Sequence, residues 1–307
     1  MRKKLIYLSA IILLFFVGAS IYIKLSAQQK PTGLTVTPSN IELLVKPGDT
    51  ITKEINVANF TGADVSINVD RRNFTAQGEE GQVSLTTNEN SYSLASWITV
   101  APEKDSIPNN TTQKFTVTIK IPNNAEPGGH FGSVVFGTTA DKKNLKQTGA
   151  VVSQEIASLI LVKIAGDVNE NAIIESFKSL KPFYELGPVS FETRVKNEST
   201  VHVKPVGTLT VTDMFGQKLT GQVEQRNILP GAIRKIPGML NNKLLIGKYT
   251  ASVSLVYGTQ NNAPLVAQTT FWAFPVRYAL VALVILILLF VMRKRLYKAL
   301  KVILIGK

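Results

Sequence analysis

The chain has no cysteine, two histidines and two tryptophans in 307 residues. Without cysteine there is no disulfide framework, thiolate nucleophile, iron–sulfur cluster or cysteine-ligated zinc. His130 and His202 stand far apart with no further histidine, so a His-rich metal site is excluded as well. Acids are also scarce, 21 against 34 Lys+Arg, which gives a formal net charge of +13. That excess sits at the ends. Residues 1–27 carry four basic side chains and residues 277–307 carry seven, with no acid in either, leaving 23 basic against 21 acidic between them. A nearly neutral middle does not read as a nucleic-acid surface, so no nucleic-acid partner is expected.

Helical periodicity is missing too, across residues 34–273. In its place are short alternating runs rich in Val, Ile, Thr and Phe, broken by Asn, Gly and Pro. Ile55–Asn59 and Val65–Val69 alternate across a turn at Phe60–Asp64, and Phe115–Ile121 stops at Pro122. Thr208–Thr212 runs into a turn at Asp213–Gly216, and Tyr249–Tyr257 alternates again. Many short strands with frequent turns predict β-sandwiches rather than βαβ units.

The pattern occurs twice. Val57-Ala58-Asn59 is echoed by Val195-Lys196-Asn197, and each half then runs through a proline turn, a strand, a glycine turn and a final strand. The fold class expected is all-β: two tandem immunoglobulin-like sandwiches over residues 28–145 and 146–273. The polar stretch Thr138–Gly149 reads as a linker or a long hairpin. The apolar run Val151–Ile164 reads as strand closing the first domain, because its β-branched residues suit a sheet.

Both ends are hydrophobic. Arg2-Lys3-Lys4 followed by the uncharged Leu5–Ile23 makes residues 1–27 an export signal, either cleaved or kept as an anchor. Residues 274–292 are expected to form a transmembrane helix, with Trp272 and Tyr278 at its outer interface. Residues 293–307 then form a basic cytoplasmic tail, since Arg293-Lys294-Arg295, Lys298 and Lys301 satisfy the positive-inside rule. Leu296, Leu300, Ile303 and Leu304 share a helical face that would lie on the inner leaflet. The membrane is therefore an expected partner, through one span or two.

Catalytic constellations are lacking. There is no Gly-x-Ser-x-Gly elbow, and Gly128–Gly132 lacks the Lys-Ser/Thr of a phosphate loop. Loop acids such as Glu79, Glu80, Glu103 and Asp105 read as solvated side chains. No cofactor and no catalytic or metal-binding residue is expected. Candidate ligand contacts are Trp97, as a stacking platform for a sugar or else a core anchor, and Met214 with Phe215 at a hairpin tip.

Several residues together carry a resemblance. They are Lys46-Pro47-Gly48-Asp49-Thr50, Val57-Ala58-Asn59, Trp97-Ile98, Ile121-Pro122 and Pro127-Gly128-Gly129-His130-Phe131-Gly132, within the order signal, two Ig-like domains, one membrane helix and basic tail. This resembles the WxL-interacting cell-surface proteins of Gram-positive bacteria. The resemblance implies a first domain that binds peptidoglycan and a second that binds a host or surface partner. The expectation is a non-catalytic surface protein that tethers cell wall or a partner protein. The alternative is a membrane-bound assembly or secretion scaffold with chaperone-like Ig domains.

Overall fold

The computed structural model describes residues 32–139, 154–258 and 264–305. The proposed export signal and its cleavage lie outside the described residues.

The first sandwich packs a four-stranded sheet on a six-stranded one. The smaller sheet pairs β1 (Gly33–Thr37), β3 (Thr50–Phe60), β8 (Thr112–Lys120) and β6 (Ile98–Ala101) in that order. The larger orders β2 (Asn40–Val45), β10 (Glu155–Ile164), β9 (Gly128–Thr139), β4 (Val65–Gln77) and β5 (Gln82–Thr86), with β7 (Lys104–Ile107) also on β4. Alternation does what it predicted: Ile55, Val57, Phe115, Val117 and Ile119 all face one core at 0% exposure. Phe115 and Phe136 meet across the sheets at 4.9 Å between ring centres.

The boundary expected after residue 145 lies too early. β10 pairs antiparallel with β9 and parallel with β2, so the first sandwich extends to Ile164. Thr138 and Thr139 end β9, and the rest of Thr138–Gly149 lies outside the described residues, between two strands of one sheet in chain order rather than between the domains.

The second sandwich is one ribbon of eight strands folded on itself. Its order is β11 (Ala172–Ser179), β13 (Val189–Asn197), β16 (Ile233–Leu240), β15 (Lys218–Val223), β14 (Val206–Asp213), β17 (Gly247–Val256), β18 (Leu265–Ala273) and β12 (Phe183–Tyr184). The fold-over is at β15, which pairs with β14 through Lys218–Gly221 and with β16 through Gln222–Val223. Phe191, Tyr249 and Phe271 fill its core, the last two stacked at 5.3 Å.

The repeat seen in the sequence has a structural cause. Asn59 and Asn197, both fully buried, end equivalent strands and do the same work. Asn59 Nδ2 donates to the carbonyls of Ala63 and Ile107, while its Oδ1 accepts from the Thr61 N–H. Asn197 Nδ2 donates to Val201 and Ile228, and its Oδ1 accepts from the Ser199 N–H. Each amide ties together the backbone groups of one corner.

One helix follows, α1 (Val276–Ile305). Its stretch Val276–Arg293 is long and apolar enough to cross a membrane, and none of it is buried against protein. The helix does not stop at residue 292. It runs unbroken through the basic cluster, so the expected span and tail form one 30-residue element.

Candidate functional site

The second sandwich has two poles. β13 ends and β16 begins at the pole facing the first sandwich, whereas β18 ends and α1 begins at the other. The pole-to-domain junction encloses a cleft of about 490 Å³, the candidate site.

Two clamps frame the cleft. At one, the β4–β5 turn of the first sandwich reaches over β13 and β16. Arg194 grips Glu79 with two N–H groups, Nε to Oε2 at 2.8 Å, and Lys235 Nζ meets Glu80 at 2.9 Å. The Arg194 hydrogen bonds hold the Glu79 carboxyl below its ordinary range. At the other, Glu42 on β2 accepts from Asn227 Nδ2 at 2.7 Å and Lys204 Nζ at 3.1 Å. Burial pushes the Glu42 carboxyl up, but Asn227 and Lys204 outweigh it and the net direction is down.

Between the clamps the floor is apolar, with Phe74, Leu161, Leu229 and Ala232 drawn from both sandwiches. Beside the floor, His202 meets Phe131 edge-on at 5.8 Å. Burial is the main cause that pushes the His202 imidazole down to about 4, so it is neutral at pH 7. A backbone bond from Gly129 N–H to the Thr200 carbonyl, 3.0 Å, ties the domains close by.

Two cleft groups lack partners among the described residues. Arg234 donates through Nη1 to the Asn227 carbonyl at 2.9 Å, but its buried Nε is unpaired, and so is the buried Asn227 Oδ1. Burial and the nearby Arg226 push the Arg234 pKa down, yet a guanidinium stays protonated at neutral pH. Both atoms belong to residues that line the cleft, and both are closed to solvent in this conformation, so a ligand reaches them only when the Arg234 and Asn227 side chains turn toward the cleft. Turned so, Arg234 Nε would donate to a ligand carbonyl and Asn227 Oδ1 would accept from a ligand N–H, the two halves of an amide group.

Gly81 sets the position of Arg234. It has φ +89°, and a Cβ there would lie 1.9 Å from Arg234 Nη2. Gly81→Ala is expected to cost ~1–2 kcal/mol through its left-handed backbone and to push the guanidinium out of the cleft. Gly62 is the control, because at φ +92° a Cβ meets nothing within 4 Å. A denaturation midpoint that falls further for Gly81→Ala than for Gly62→Ala isolates the Arg234 contact, and equal falls would remove it.

The three candidates from the sequence are not brought together. Trp97 is half-buried, packs against the core of the first sandwich, and lies tilted at 40° against the His130 ring, 4.6 Å between centres. His130 itself is buried between the carbonyls of Ser93 and Glu126. Met214 and Phe215, 58% and 85% exposed, sit at the β14–β15 tip on the pole away from the cleft. No metal-holding group of His, Asp or Glu occurs among the described residues. Sequence reasoning missed Glu42, Asn227, Arg234 and Gly81, which come from four separate segments. The available signal was Gly78-Glu79-Glu80-Gly81, an acid pair between turn glycines, against the basic Arg226, Arg234 and Lys235.

No protein-family model matches the chain, and no curated protein is a significant match. Similar solved structures include the class 5 fimbrial chaperone CfaA, at 12% identity over 77% of this chain and 99% of that one, TM-score 0.40. The periplasmic chaperone SfaE is 13% identical over 79% and 100%, TM-score 0.33. The PapD-like domain of human CEP192 is 14% identical over 48% and 97%, TM-score 0.31. Likeness at this level carries nothing about what the chain binds. What its own geometry defines is a pair of immunoglobulin-like sandwiches with a cleft between them and one membrane-length helix.

Proposed function

We propose that the chain is a non-catalytic, membrane-tethered binding protein that holds an amide-bearing polymer in the cleft between its sandwiches. The polymer is a cell-wall peptide or an extended segment of a surface protein. The observation that carries this reading is an apolar-floored cleft whose lining residues Arg234 and Asn227 hold an unpaired donor and an unpaired acceptor among the described residues. The resemblance to WxL-interacting surface proteins favours the wall. α1 crosses the membrane with the Arg293–Arg295 end in the cytoplasm, which leaves both sandwiches outside. Confinement beside the membrane raises the effective concentration of the cleft against its partner, so a weak site suffices.

The test is co-sedimentation of the detergent-solubilised chain with isolated peptidoglycan sacculi. Saturable binding that weakens about tenfold in Arg234→Ala is expected, the loss of one charge-assisted hydrogen bond. Saturable binding that Arg234→Ala leaves intact removes the cleft as the site. No binding at high micromolar protein removes the wall as ligand, and crosslinking on intact cells then seeks the protein segment.

A second reading, the membrane-bound assembly scaffold, has its own observation. Among the described residues β2 is an edge strand that pairs only with β10, and Asn40 and Glu42 on it line the cleft. An extended segment lying there could continue the sheet as an added strand. Exchanging α1 for an unrelated anchor separates the two readings, since a surface binder survives the exchange and an assembly factor that uses its helix does not.

A further inference from the structure

The pole of the second sandwich next to α1 is unlike the rest of its surface. Three connections meet there: the segment around β12, the β14–β15 tip, and the loop between β16 and β17. Their closeness is fixed by hydrogen bonds and register. Trp272 N–H donates to the Pro182 carbonyl and Phe274 N–H to Tyr184, both at 2.9 Å, and Gly187 N–H donates to Lys243 at 3.0 Å. Asp213 stands opposite Tyr249, and Gly247 opposite Ala273. A Cβ on Gly247 would lie 3.0 Å from the Met214 sulfur, which places the β14–β15 tip against the start of β17.

The side chains these connections present outward are large and apolar. Phe215 is 85% exposed, Leu244 63%, Ile246 54%, Trp272 54% and Phe183 44%. At the opposite pole the large apolar side chains exposed among the described residues are β-branched: Ile173, Val206, Val256 and Val266. Four exposed cations, Lys181, Lys243, Lys248 and Arg277, ring the apolar group. The nearby acids are already engaged. Asp213 accepts from the Phe215 and Gln217 N–H groups, and Glu185 pairs with Arg277 at 3.1 Å.

We infer that this pole is a membrane-resting surface: the three connections press Phe215, Leu244 and their neighbours into the headgroup and acyl boundary of the bilayer that α1 crosses. Continuity with the helix selects lipid as the occupant, because only Phe274 and Pro275 separate the end of β18 from the start of α1. Aromatic and leucine side chains ringed by lysine are the composition that settles at an anionic interface. Asp213 shapes the tip so that Phe215 points outward, since two backbone N–H groups bound to its carboxylate fix the turn.

The inference rests on α1 spanning a membrane, and the experiment keeps the two claims apart. The chain is free of cysteine, so single cysteines can carry a nitroxide without background. Phe215→Cys, Leu244→Cys, Leu286→Cys in mid-helix and Lys104→Cys on the first sandwich are each reconstituted as full chains in nanodiscs containing anionic lipid. Collision with oxygen and with a water-soluble nickel chelate reports depth. Labels at 215 and 244 are expected to meet the chelate about fivefold less often than the label at 104, as for interfacial side chains. If both are as accessible as the label at 104 while 286 is lipid-buried, the helix spans but the resting surface is overturned. If 286 is also accessible, the spanning reading itself fails and takes this one with it. Protection at 215 or 244 accompanied by spin–spin broadening would assign the surface to a second copy and overturn the lipid assignment.

Discussion

Asn197→Ala is expected to destabilise the second sandwich by ~3 kcal/mol or more, because it strips a buried corner of three hydrogen bonds at once. The Val201 carbonyl loses the donor that Asn197 supplies, whereas Ile228 still accepts from the Val203 N–H at 3.0 Å. Asn197→Asp should be worse, since it turns a carboxylate oxygen toward two carbonyls that need a donor. The same change at Asn59 should cost a similar amount, but with a different consequence for the cleft. The corner held by Asn197 leads into Val201-His202-Val203-Lys204, so its loss releases His202 and Lys204 from the domain junction. The corner held by Asn59 sits at the end of β3 beside Pro108, among residues that do not line the cleft. Equilibrium denaturation followed by binding measurements on the surviving folded fraction would check this. Equal loss of binding in both variants would contradict it.

Mild acid is expected to loosen the junction through His202. In the native state burial holds this imidazole down to about 4, with Lys163 and Lys204 adding to the effect and Glu42 opposing it. In the unfolded or undocked chain it titrates near 6.5. Above pH 6.5 neither form binds the proton and the contribution is complete. As pH falls below 6.5 the open form takes up a proton that the closed form refuses, so stability drops by about 1.4 kcal/mol per pH unit. Between pH 7 and pH 5 the loss amounts to ~2 kcal/mol, and it continues toward pH 4. Small-angle scattering and denaturation midpoints across that range would register it. His202→Gln should flatten the profile. An unchanged slope in that variant would assign the acid sensitivity to other groups.

The sandwiches themselves were legible because each strand buries one face and exposes the other, which writes a period of two into the chain. The Asn at the end of each repeat was also visible, although its role was not. Asn59-Phe60-Thr61 and Asn197-Glu198-Ser199 look like glycosylation sequons, yet both amides are buried as corner ties and Thr61 Oγ1 bonds back to Asn59. β10 was legible as a strand closing the first domain, but its partner β2 was not. It is buried on both faces over Ile160–Val162, which erases alternation, and it pairs with β2 more than a hundred residues away. Nothing local records a parallel partner at that distance. The cleft was illegible for the same reason, since its polar groups belong to β2, the β4–β5 turn, the segment before β14, and the stretch that leads into the start of β16. Phe215 could be read from the turn chemistry around Asp213, whereas the company it keeps depends on how three hairpin ends converge.

The join between β18 and α1 is two residues long, and the Glu185–Arg277 pair braces it. Strands of nine or ten residues rise ~30 Å. If α1 spans a bilayer as proposed, the cleft, toward the far ends of β17 and β18, is carried at a nearly constant altitude above it, as a mast rather than a leash. In that placement the protein would search by sliding sideways with its helix, in two dimensions, within one thin layer. A partner whose reachable segment ends below or above that layer is excluded by height alone, whatever its chemistry.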